Sequence, residues 1–213
     1  MRRTVDGNSA GERTTGLRRL LSLPGLYNAY DTLVGNPAVR RAFVQDFVRA
    51  APGANLLELG CGTAKLLRHL SDVTYTGIDI SEAYIRAAWR RYGSRARFVV
   101  GSVTEADFGP RHSFDIVMAF GLLHHLDDAS AQRALSRARE ALKSGGRLVT
   151  LDPCFVESRH RFARYLHGKD RGRHVRSEDD YVRLVRTGFD HVTPRVFHGL
   201  HRIPSTTLIM TGA

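Results

Sequence analysis

The chain has 213 residues, 42% of them hydrophobic and 25% charged, with a formal net charge of +11, which is one ordinary globular domain and too little for two unrelated ones. Its apolar runs, such as 116–123 (IVMAFGLL), fall short of the roughly 20 residues that span a bilayer. The basic start MRRTVDGNSAGERTTGLRR leads only into a brief apolar patch broken by Pro24, without the h-region of a secretory leader, so a soluble, cytoplasmic protein is expected. Cys61 and Cys154 are too few for a disulfide framework and have no metal-ligand spacing; reduced thiols and no metal are the expectation.

The positive charge raises nucleic acid or a membrane surface as a partner, but it is unevenly placed. Residues 1–20 carry an excess of +3, residues 21–157 only +2, and residues 158–202 carry +6. With no apolar run long enough to span a bilayer, a membrane partner is not expected.

In chain order, residues 1–16 mix Gly, Ser, Asn, Thr and charge with almost no large apolar side chains, a composition that favours a disordered tail. A helical cap follows over 17–52: Leu17, Leu20 and Leu21 share a face, Pro24-Gly25 breaks the run, and a second amphipathic helix covers 38–50. The pattern then alternates. Strands are predicted at 55–59, 75–80, 97–100, 114–120 and 147–152. Helices are predicted at 63–70, at 82–92 behind the N-cap Ser81, and at 129–142 with Ala131, Ala134, Leu135 and Ala138 on one stripe. The almost continuous apolar run at 114–120 suits a strand buried on both faces of a parallel sheet. After a loop and basic stretch to Arg176, a helix opens at Ser177 and two last strands, 192–197 and 206–211, are close enough in sequence to pair only antiparallel. The fold class is α/β: a doubly wound, mostly parallel seven-stranded sheet with a reversed last strand pair, as one domain with its binding core at 53–152 and its substrate side at 153–213.

The most informative string is Leu56 to Leu66, LLELGCGTAKL, where the first strand turns into the first predicted helix. Gly60 and Gly62 allow the backbone to approach a ligand, and a helix starting near Thr63 would present unpaired amides. The dinucleotide pattern GxGxxG is not met, since its third glycine falls at Lys65, which argues against NAD. Asp79 ends the second strand, where a carboxylate in a doubly wound sheet accepts from both ribose hydroxyls.

Together these features resemble the class I S-adenosylmethionine (SAM) dependent methyltransferases over roughly residues 27–211. Glu58-Leu59-Gly60-Cys61-Gly62-Thr63 matches the family's first motif, Asp79 its acidic second strand end, Phe114-Asp115-Ile116-Val117 and Leu123-His124-His125-Leu126 its fourth-strand signature, and Leu142-Lys143-Ser144-Gly145-Gly146 its turn before strand five, with Ser144 in place of the usual Pro. The resemblance implies SAM as cofactor, with Glu58, Gly60, Cys61 and Gly62 around its methionine part, Asp79 on the ribose, Ile80 against an adenine face, Ser102 and Val103 at the adenine edge, Phe120 lining the site, and Tyr27 in a segment folding over it. Gly101-Ser102 departs from the family's Gly-Asp; the serine oxygen is shorter but still an acceptor.

Methyl transfer needs its nucleophile aligned, and a base only where that nucleophile is protonated. His124 and His125 follow strand four at the sheet's carboxyl edge and either accept that proton or shape the pocket. The stretch Arg159 to Arg176 either forks onto an anionic acceptor or forms a solvated basic face. A small-molecule acceptor, methylated on O, N or C, is the leading expectation. A tRNA or rRNA acceptor and a SAM-binding protein that does not methylate are the alternatives.

Overall fold

A computed structural model of the chain describes residues 37–155, 174–199 and 206–213. The expected tail, the Leu17–Leu21 helix, Tyr27 and residues 159–173 of the basic stretch lie outside these. Pro37 opens α1 (Pro37–Ala42), where its missing N–H has no helical partner to lose. The helix widens into a π-helical stretch, Phe43–Val48, and Arg49 ends it in a left-handed conformation, a little before the predicted stop.

The strands are β1 (Ala54–Leu59), β2 (Val73–Asp79), β3 (Ala96–Val100), β4 (Phe114–Phe120), β5 (Leu142–Phe155), β6 (Arg176–Ser177), β7 (Val192–His198) and β8 (Thr206–Gly212). The further α-helices are α2 (Glu82–Tyr92), α3 (Asp128–Ala141) and α4 (Glu178–Val185). The main path runs β3-β2-β1-β4-β5-β8-β7, with the two-residue β6 added beside the end of β5. β1 to β5 run parallel, and β8 is antiparallel to both its neighbours. The predicted mostly parallel sheet with a reversed final pair is therefore present, with β6 as an eighth, unpredicted strand. Chain order reverses between β1 and β4, and the crevice of such a sheet opens at the carboxyl ends of those strands.

Alternation along the strands feeds two cores. Leu56, Tyr75, Ile116, Met118 and Val149 pack under α1 and α2, while Leu57, Ile78, Val117 and Leu148 pack under α3 and α4. At the amino edge, far from the crevice, Lys143 bridges both Asp115 oxygens at 2.8 and 2.9 Å and the Asn55 amide reaches Asp115 Oδ2 at 2.8 Å. Two of the strings that carried the family resemblance thus meet in a structural tie.

Two predicted elements differ. The helix expected at 63–70 is a short 3₁₀ turn, Lys65–His69, because Ala64 takes a left-handed φ of 54° and breaks the helical path. Leu66, Leu67 and Leu70 are still buried, so the apolar spacing that suggested a helix is met by the tighter turn. β5 begins at Leu142 rather than 147, since the Lys143 to Gly146 segment is accommodated as an irregularity in its pairing with β4.

Candidate active site

The crevice has two halves. In the first, β1 leaves the sheet through Gly60 and Gly62, both at positive φ, 66° and 54°. The two glycines serve different ends. A Cβ on Gly60 would meet Leu122 Cδ1 at 2.8 Å, whereas one on Gly62 would meet nothing within 4 Å. Gly60 therefore lets the loop after β4 pack against the turn, and Gly62 faces the open space a ligand needs. The row of helix amides expected beside Thr63 is absent, because the 3₁₀ turn replaces the helix.

Asp79 closes this half. Its Oδ2 accepts from the Gly62 amide and its Oδ1 from the Ser81 amide, each at 2.8 Å, while its carbonyl accepts from Gly101 at 2.9 Å. The end of β2 is thereby latched to both flanking loops. The latch sets both carboxylate oxygens on backbone amides at the end of β2. Ile80, next along, is 64% exposed, an apolar surface standing outside either core. Ser102 Oγ lies 2.8 Å from Thr104 Oγ1 and accepts from the Thr104 amide at 3.3 Å, so it caps its own loop, and the Val103 side chain is buried in the core.

Beneath the turn, the Cys61 thiol packs against Gly77, where a Cβ would come within 2.8 Å of the sulfur. Burial, with the negative charges of Glu58 and Asp79, pushes this thiol well above the usual range. Glu58 is itself buried and accepts from the Tyr75 hydroxyl. Burial raises its carboxyl to about 8, against the opposing Tyr75 hydrogen bond. Its role is to support the turn from below.

The second half lies where β4 and β5 end. Phe120 is half-buried, edge-on to Phe43 at 5.2 Å and under the Arg40 guanidinium at 5.7 Å. The Gly121 amide bonds Leu151 O at 2.6 Å, which sets the following turn beside Asp152. There His124, 7% exposed, places Nδ1 2.8 Å from Asp152 Oδ1, and its backbone amide reaches the same oxygen at 3.2 Å. Asp152 is fully buried and its Oδ2 has no hydrogen-bond partner among the described residues. Burial raises its carboxyl, against the hydrogen bonds from His124 and Leu123. An ionised Asp152 makes Nδ1 the donor and leaves Nε2 as the basic nitrogen. The His125 ring lies 4.0 Å from that of His124, centroid to centroid.

Asp152 is the residue that sequence reasoning missed. The signal was present: a carboxylate ending a buried apolar strand is unfavourable unless it has a partner. Among the described residues no group of three His, Cys, Asp or Glu could hold a metal ion, and no helix is long and apolar enough to cross a membrane.

Such a sheet, with a glycine turn latched to an acidic strand end at its switch point, defines a doubly wound α/β protein built to hold an adenosine-type cofactor. Residues 56–146 match the family model described as a methyltransferase domain. The chain is 29% identical over 149 residues to an uncharacterized methyltransferase of Geobacillus sp. (strain WCH70), covering 68% of each. It is 35% identical over 114 residues to the 27-O-demethylrifamycin SV methyltransferase of Amycolatopsis mediterranei (strain S699), covering 50% of this chain and 41% of that one. Its fold matches phosphoethanolamine N-methyltransferase 2 of Haemonchus contortus, solved with phosphomonomethylethanolamine and S-adenosylhomocysteine, with a TM-score of 0.74 at 16% identity over 92% of this chain and 58% of that one. Residues 56–146 thus resemble methyltransferase domains, and the sheet has the fold seen in solved methyltransferases.

Proposed function

We propose that the protein transfers a methyl group from SAM to a small-molecule acceptor bound beside His124. The observation that carries this is the pairing of the latched Gly60–Gly62 turn with a buried His124–Asp152 pair across one crevice. The residues present fit the cofactor: Gly62 opens onto free space, Asp79 offers ribose acceptors, and Ile80 offers an apolar face for a base. Tyr27, Ser102, the Val103 backbone amide and Phe120 complete the proposed binding set, with Glu58 and Cys61 serving it as buried supports beneath the turn. Bound there, SAM supplies an electrophilic methyl on a sulfonium.

The chain's own part is alignment and proton removal. Holding acceptor and methyl in line can contribute roughly 7–11 kcal/mol in favourable cases. His124 Nε2 takes the acceptor's proton, and Asp152 holds the ring in the tautomer that allows it. His125 shapes the wall beside it.

The Amycolatopsis relative, named for a rifamycin substrate, supports a small acceptor. The +6 excess over residues 158–202 supports an anionic group on it. The same excess favours a second reading, a tRNA or rRNA acceptor. Two buried, unpaired cysteines support a cytoplasmic location.

Incubation with SAM and a panel of hydroxyl- and amine-bearing small molecules should yield S-adenosylhomocysteine and an acceptor heavier by one methylene mass. Product from RNA alone, with activity falling steeply as salt rises, would replace the small-molecule reading by the RNA one.

A further inference from the structure

Arg176, at the end of the basic stretch, is buried and makes five hydrogen bonds. Nε and one terminal nitrogen reach Asp128 Oδ1 at 3.0 and 2.7 Å, and that same terminal nitrogen reaches Leu126 O at 2.7 Å. The other bonds Leu123 O and His174 O, both at 2.9 Å. A guanidinium has five N–H donors, so Arg176 has none left for an acceptor's anion. Of the two roles expected for the basic stretch, this residue fills neither.

Its partners identify what it does. Leu123 and Leu126 bracket His124 and His125, and the carbonyls of so short a turn have few partners within the turn itself. Asp128 opens α3 immediately afterwards. On the other side, Arg176 pairs with Cys154, two residues beyond Asp152 on β5, and the His174 amide bonds His124 O at 3.0 Å. One residue therefore ties the His-bearing turn, through its side chain, to the strand that carries Asp152, through its backbone pairing.

We propose that Arg176 is a positioning residue for His124: by fixing the 123–126 turn against β5, it holds the imidazole in register with Asp152 and thereby keeps Nε2 basic. The proposal rests on His124 acting as the proton acceptor, but its test reads the imidazole directly. Nitrogen NMR of full-length protein labelled at histidine, with His124 assigned from the His124→Gln spectrum, should show one tautomer protonated at Nδ1. In Arg176→Lys and Asp128→Asn the tautomers should mix and the Nδ1 proton should exchange faster by roughly tenfold, the factor carried by one weakened charge-assisted hydrogen bond. SAM affinity should stay within about twofold of wild type, since the contacts of Asp79 are untouched. Asp128 is 79% exposed at its side chain, so its variant folds even if the Arg176 variant does not. Folded variants with the wild-type tautomer and exchange rate would overturn the proposal and leave Arg176 as a structural tie. A shifted tautomer with turnover unaffected in His124→Gln would keep the positioning role and overturn the base reading instead.

Discussion

The halves of the crevice are built by opposite strategies. At the ends of β1 and β2 the site is mostly backbone: a glycine turn, one carboxylate latched by amides, and an exposed apolar residue. At the ends of β4 and β5 it is made of buried side chains, His124 on Asp152 with Arg176 behind them. The first arrangement leaves open groups that suit binding. The second fixes one ring nitrogen, which suits proton transfer. Cofactor affinity and turnover should therefore separate under mutation.

The strongest separation should come from His124→Gln, which removes the proposed base. Formation of S-adenosylhomocysteine with a hydroxyl acceptor should fall by about 10²- to 10⁴-fold, while SAM affinity measured by calorimetry stays at the wild-type value. A comparable loss in both would show that the halves are not independent.

A smaller effect, on stability, concerns Glu58 beneath the cofactor half. Its folded value of about 8 lies above the ordinary 4.5, so the folded state holds a proton that the unfolded state has released. Stability should be highest below about pH 4.5 as far as this group is concerned, should fall as pH rises from there to about 8, by a few kcal/mol, and should level off above it. Glu58→Gln should flatten that dependence in thermal melts from pH 5 to 8.5. Gly77→Ala comes next. The added methyl meets Cys61 Sγ at 2.8 Å and Tyr75 Cε1 at 2.9 Å, and the overpacking should cost about 1–3 kcal/mol in denaturant titrations, with part recovered in combination with Cys61→Ala. The least effect is expected at the opposite edge of the sheet. The Lys143–Asp115 pair is about 40% exposed on both sides, so Lys143→Ala should cost about 1 kcal/mol or less and leave SAM binding unaltered.

Legibility followed the same division. The glycine turn, Asp79 and the strand rhythm are local patterns, and the sheet was readable from them together with the reversed final pair. The His124–Asp152 contact joins residues 28 apart and the Arg176–Leu123 contact residues 53 apart, and no local pattern encodes such partners. The Lys65–His69 turn departs from the expected helix for another reason. Its leucines satisfy helical and 3₁₀ spacing alike, and the left-handed Ala64 that decides between them has no sequence signal of the kind a glycine or asparagine gives.

The most direct measurement is calorimetric titration of SAM into wild-type protein and Asp79→Ala. The wild type should bind one equivalent. The variant should lose about 2–3 kcal/mol, roughly 30- to 150-fold in affinity, from the missing charge-assisted hydrogen bonds to ribose. Equal affinity in the two proteins would contradict the placement of the cofactor on the latched turn.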